Sequence, residues 1–178
     1  MAVPLETTPT ALTPKIRELC QSIAPNEQAI FVRVQPSEGS LSDACLENVT
    51  RYAAQFGGST VLGWRIRERP RVSVHAKFHA VWKASNGEFV DVTPKPDGEV
   101  QVLFLPDARL VWDGTRIPDH SLPLVHWREI QDFLAADARL KNMVQTGVNR
   151  IDANEYAGIK AELKRATKAL EKRLERSK

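Results

Sequence analysis

Between Arg71 and Lys83 apolar and polar residues alternate, and after Ser85-Asn86-Gly87 a shorter alternating run follows from Glu88 to Val92. Two such runs joined by a glycine-containing loop predict a β-hairpin. On the first strand Val72, Val74, Ala76, Phe78, Ala80 and Trp82 share one face, while Ser73, His75, Lys77 and His79 share the other. The loop length then fixes the second strand. A two-residue Asn86-Gly87 turn sets Trp82 opposite Asp91 and drives a carboxylate onto the apolar face. A three-residue loop with Gly87 left-handed pairs Ala84 with Glu88 and Trp82 with Val90, and it puts Asp91 diagonally beside His79. The apolar pattern selects the three-residue loop, so an imidazole and a carboxylate are predicted to meet.

The rest of the chain reads as mixed helix and strand. Thr13-Pro14 opens a helix with Thr as cap and Pro in its first turn, and Ile16, Leu19, Cys20 and Ile23 form its apolar face. Ala29 to Val34 is a strand. Ser42 to Phe56 is a helix with Ser42 as cap, a core stripe of Leu46, Val49, Ala53 and Phe56, and a stop at Gly57-Gly58. Further strands are expected at Ser59 to Ile66 and Val100 to Leu105, with Leu110 to Trp112 as a last short one. Helices follow from His126 to Leu140 and from Asn154 to Lys178. The expected organisation is a loose arm at 1–12, one α+β domain at 13–150, and a basic C-terminal helix at 151–178. In that domain the helix starting near Ser42 packs on an antiparallel sheet of four to five strands. The narrow apolar stripe of the last helix, Ile159, Leu163, Ala166, Leu170 and Leu174, predicts a small contribution to the core.

Charge is unevenly placed. The whole chain carries +3, yet 160–178 alone holds eight Lys or Arg against three Glu, which leaves the body slightly acidic. A basic tail on such a body argues against a nucleic-acid-binding fold throughout, and it offers residues 160–178 as a dock for an acidic partner or for nucleic acid. No run is apolar enough to span a membrane, and no basic-then-apolar leader opens the chain. Two cysteines, Cys20 and Cys45, are too few for a disulfide framework and fit a reduced, cytoplasmic setting.

Cys45 falls in the first turn of its helix, where the partial positive charge of the helix N-terminus favours a thiolate. Thiol, imidazole and carboxylate in the order Cys45, His79, Asp91 are the parts of a thiol-nucleophile enzyme. The bland readings are a packing cysteine and a polar cross-strand pair on a solvated face, and the residues alone leave both alternatives open. His75 and His79 do not make a metal site, because four strand residues separate them by roughly 13 Å. Asn48, one helical turn after Cys45, lines the site or makes a local hydrogen bond. Trp64 lines a substrate groove or belongs to the core.

The pattern resembles the transglutaminase-like branch of the papain-like cysteine enzymes, in which a helix-borne Cys precedes His and Asp on adjacent antiparallel strands. Asp91-Val92-Thr93 matches that family's Asp-x-Thr. The resemblance covers residues 40–95 and departs from the family at Leu46, where an aromatic residue is common, and at Trp82, which lies three residues after His79 instead of two. The stretch from Cys45 through Gly63-Trp64 to Phe104-Leu105-Pro106-Asp107 also resembles a group of small uncharacterised bacterial proteins, which brings no substrate with it. The family resemblance implies Cys45 as nucleophile, His79 as general base and acid, and Asp91 as the group orienting the imidazole. It implies no cofactor and no metal. The expected substrate is a peptide, a protein or a small amide, with peptidase, amidase, deamidase and acyl-transferase chemistry all open. The competing expectation is a non-catalytic binding protein on the same scaffold.

Overall fold

The computed structural model describes residues 2–145 and 152–177, and the expected boundary at 150/151 lies outside them. The chain is an α+β protein whose elements run α1 (Pro14–Ile23), β1 (Ile30–Val34), α2 (Cys45–Phe56), β2 (Ser59–Arg69), β3 (Ser73–Lys83), β4 (Phe89–Asp91), β5 (Gln101–Pro106), β6 (His120–Pro123), α3 (Arg128–Gln145) and α4 (Ala153–Arg176). It forms two compact units. One spans Thr7–Glu68 and Val74–His120; the other combines the first residues, Arg69–Ser73, and the chain from Ser121 onward.

The first unit is a barrel. Its strands lie in the order β2-β5-β1-β4-β3, and β2 pairs with β3 to close the ring, leaving β6 as an extra strand. This corrects the expected all-antiparallel sheet, because β1 lies parallel to β4, with Arg33 against Val90 and Val34 against Asp91. The physical reason is placement: β1 is inserted between β4 and β5, and it can run antiparallel to β5 only by running parallel to β4. Val32, Val81, Val102 and Phe104 pack inside one cluster with Val61 and Phe89 at its margin.

The hairpin has the predicted register. Trp82 pairs with Val90 and Lys83 with Phe89. Ala84 N–H donates to Glu88 O at 2.8 Å, Gly87 N–H donates to Ala84 O at 2.9 Å, and Gly87 has φ of 88°. A left-handed Gly closing a three-residue loop is what lets two strands keep their twist.

Helix α2 lies on the β3–β4 face that carries Ala80, Val90 and Val92, with Val49 fully buried between them and Cys45, Leu46, Tyr52 and Trp82 around them. Two details of this helix differ from expectation. It starts at Cys45 with Ala44 as an uncapped start, because 41–44 form a turn of their own: Ala44 N–H reaches Leu41 O, and the Asn48 side chain grips both the N–H and the C=O of Leu41. Ser42 therefore sits in that turn and caps nothing. Phe56 is exposed instead of buried; it packs on Tyr52, which stands edge-on to Trp82. The expected strand at Leu110 to Trp112 does not form either. Asp107 turns the chain directly after β5, holding Arg109 through its carboxylate and Leu110 through its carbonyl, and Trp112 then stacks on Phe78 at 5.2 Å.

One close approach makes a barrel glycine irreplaceable. A Cβ at Gly63 would collide with the Leu105 carbonyl and stand 2.6 Å from the Phe104 ring. Gly63→Ala is therefore expected to cost about 1–3 kcal/mol or more, since neither backbone nor a fully buried ring can yield. Chemical denaturation would show this as a lower midpoint at unchanged m-value.

In the second unit α4 packs along α3. Leu170 and Leu174 are fully buried, and they join Val72, Ile130, Phe133 and Ala166 in one cluster. The small core contribution expected of this helix is corrected by that burial. Arg71, the one non-glycine residue with positive φ among the described residues (66°), is held by hydrogen bonds from its guanidinium to Leu174 O and Ser177 Oγ. No described helix is long and apolar enough to cross a membrane.

Candidate active site

The hairpin register decides which groups meet. Continued past Trp82 and Val90, it would set Ala80 against Val92 and His79 against Thr93, but β4 ends at Asp91. His79 thus sits where its neighbouring strand has just left the ladder. Alternation turns Ala80 toward α2, and it turns His79 and Asp91 the other way, toward the barrel interior. The pair is not on a solvated face: His79 is 6% exposed and Asp91 fully buried.

His79 Nε2 lies 2.7 Å from Asp91 Oδ2. The Thr93 backbone N–H donates to the other carboxylate oxygen, Oδ1, at 3.0 Å, so the Asp-x-Thr turn locks the carboxylate from the chain side. With Nε2 turned to Asp91, Nδ1 is the ring nitrogen left for Cys45, and the two side chains are close enough to shift each other's ionisation. The Ala80 backbone N–H also favours a charged sulfur there. Cys45, His79 and Asp91 are therefore brought together.

Asn48 is buried and does not line an open groove. Besides Leu41 it donates to Thr93 Oγ1 at 3.2 Å, linking the turn before Cys45 to the turn behind Asp91. Trp64 is not brought to the site. It is 3% exposed, donates through Nε1 to Asp107 Oδ2 at 3.2 Å, and meets His120 edge-on. A cleft of about 580 Å³ between the 35–39 loop and the second half of α2 includes none of Cys45, His79 and Asp91.

Burial alone would push the Cys45 thiol up, but the His79 hydrogen bond and charge, the Ala80 N–H and the charge of Lys95 outweigh it and lower its pKa. Burial likewise works against a charged His79 and a charged Asp91. Their mutual hydrogen bond overcomes it, raising the imidazole and lowering the carboxyl. Cys20 has no such partners, and burial pushes its thiol up to about 11.

Two residues near the site escaped sequence reasoning. Lys95 places its ammonium 2.6 Å from Asp91 Oδ2 with only 2% of its side chain exposed. Its signal was the turn Lys95-Pro96-Asp97-Gly98, which reads as a solvated loop; nothing local announces a buried ammonium. Phe78 shares the outer face of β3 with Ala80, one alternation further along, where α2 has not yet begun, and Trp112 stacks on it nearly parallel, at 15°. Only the fold brings Trp112 there. Among the described residues no three His, Cys, Asp or Glu side chains converge as a metal-binding set. The chain has no significant match among protein-family models, curated proteins or solved structures.

Proposed function

We propose that the protein is a thiol-nucleophile enzyme acting on an amide or other acyl group, on a scaffold of the papain-like, transglutaminase-like kind. The observation that carries this reading is the grouping of Cys45, His79 and Asp91, in which one imidazole holds a buried carboxylate at 2.7 Å and acts on the helix-start thiol beside it. The order of the three groups and their placement on a helix start and an antiparallel pair support the scaffold reading.

In the first half-reaction His79 takes the thiol proton and the Cys45 sulfur attacks the carbonyl carbon. A C–S bond forms, and the carbonyl π pair moves onto oxygen. The backbone N–H groups of the first turn of α2 have no intrahelical acceptor, and no side chain caps them, so the Cys45 N–H is available to that oxyanion. Collapse breaks the bond to the leaving group, which departs as an amine carrying the proton from His79. The thioester is then attacked by water or an amine; His79 removes the proton, and the thiolate leaves. Asp91 holds the ring with Nδ1 toward sulfur throughout. The stacked Phe78 and Trp112 give the incoming acyl group an apolar wall on the face beside Ala80.

The basic outer face of α4 supports an acidic partner as a separate property: Lys160, Lys164 and Lys168 line one surface groove with Leu140 and Leu163.

The test is direct acylation. Incubation with p-nitrophenyl acetate and with glutamine-containing peptides, followed by intact mass and peptide mapping, is expected to show an acyl adduct on Cys45. The adduct should be absent in Cys45→Ser and form roughly 100-fold or more slowly in His79→Ala. Release of p-nitrophenol with no dependence on Cys45 or His79 would remove the enzyme reading.

A further inference from the structure

We propose that Lys95 is a positioning residue of this site: its ammonium, 2.6 Å from Asp91 Oδ2 and 3.4 Å from His79 Nε2, sets the charge balance that favours the thiolate form of Cys45. This assignment rests on the thiol-nucleophile reading. Lys95, from the loop after β4, contacts Asp91 of β4 and His79 of β3 and feels the charges of Cys45 from α2 and Arg65 from β2.

A buried carboxylate facing an imidazole alone stabilises imidazolium beside a neutral thiol. The imidazolium charge favours a thiolate beside it, while the carboxylate's own negative charge opposes one. Lys95 shares the very oxygen that His79 uses, so the Asp91 charge is already matched. A proton on His79 must then be balanced by negative charge on Cys45. After burial and the direct hydrogen bonds, the Lys95 charge acts in that sense on both partners, lowering the thiol and opposing the rise of the imidazole.

The surroundings are built to hold this cation. Gly98 N–H closes the Lys95-Pro96-Asp97-Gly98 turn on Lys95 O at 2.9 Å. Beyond it Glu99 and Asp97 are clamped by Arg65 and Arg67, at 2.6 Å for Arg65 to Glu99 and 3.0 Å for Arg67 to Asp97. Burying an ammonium is expensive, and an apolar side chain would fill the same space at less cost. Holding the loop does not require the charge.

The experiment reads the pH dependence of iodoacetamide alkylation at Cys45 in the wild type, Lys95→Met and Lys95→Gln, with folding checked by thermal melting. Gln is nearly as long and can still donate a hydrogen bond to Asp91, so it carries the test even where the Met variant fails to fold. In both variants the midpoint of alkylation should move up by about one pH unit, and the rate at pH values below the wild-type midpoint should fall by up to about tenfold. A Gln variant that keeps the wild-type midpoint would reduce Lys95 to a hydrogen-bonding prop and overturn the charge assignment, as would an unshifted midpoint with a uniformly lower rate. If wild-type Cys45 is no more reactive than Cys20, the thiol reading itself fails, a result that cannot be confused with an unshifted midpoint on a reactive sulfur.

Discussion

At pH 7 iodoacetamide will modify Cys45 on the order of a hundredfold faster than Cys20 in the folded protein. The sign follows from ionisation, because the thiolate is the reacting form. A thiol pushed up to about 11 is ionised to roughly one part in ten thousand at pH 7. Cys45 has its pKa lowered below the ordinary thiol value against the opposing pull of its own burial. The lower basicity of a depressed thiolate takes back part of the advantage, since nucleophilicity falls with pKa. His79→Ala should slow Cys45 about tenfold, and Asp91→Asn less, because α2 still presents its N-terminus to the sulfur. Peptide mapping after timed quenching measures both cysteines in one sample. Equal, slow labelling would make Cys45 a packing residue.

Removal of α4 should be equally visible. A chain ending before Lys160 loses Leu163, Ala166, Leu170 and Leu174, and it leaves Ile130 and Phe133 without their covering layer. It also loses the carbonyl of Leu174 and the hydroxyl of Ser177, which hold Arg71 in its left-handed conformation. Leu170→Ala alone should cost about 2–5 kcal/mol and lower Tm by roughly 10 °C. The truncated chain should lose the cooperative melting of the α3–α4 unit altogether. A truncation that melts with the wild-type profile would show that α3 finds another cover.

What was legible in the sequence was local. The register at Trp82 and Val90 followed from one loop, where Gly87 could take positive φ and only an odd spacing kept Asp91 off the apolar face. Cys45 was recognisable at a helix start, although the start itself was displaced: Ser42 has the right chemistry for a cap, but Asn48 ties Leu41 into a turn that the cap position would have to break. What was not legible depended on distant partners. The stripe of α4 is narrow, yet a narrow seam is enough when the partner is another helix, and α3 supplies that partner. Lys95 looked like a loop lysine because its surroundings come from Asp91, His79 and Arg65, on three different strands. Trp64 had its buried partner forty-three positions away in Asp107.

The insertion of β1 between β4 and β5 has a consequence for how the molecule is made. Hairpin β3–β4 can form early, from neighbours in sequence, and it already carries His79 and Asp91. The complete barrel must wait until Arg33 finds Val90 and Phe31 finds Leu103, pairings that span more than fifty residues and bear the loop-closure entropy of long chain segments. Only then does the chain after β1 hydrogen-bond the carbonyl of Asp91 through Gln35 and that of Val92 through Ser37. The slow topological step and the last shaping of the site coincide. A partly folded chain would hold its imidazole and carboxylate in register before the barrel closes behind them, so the surroundings of that pair are completed in the same event that completes the fold.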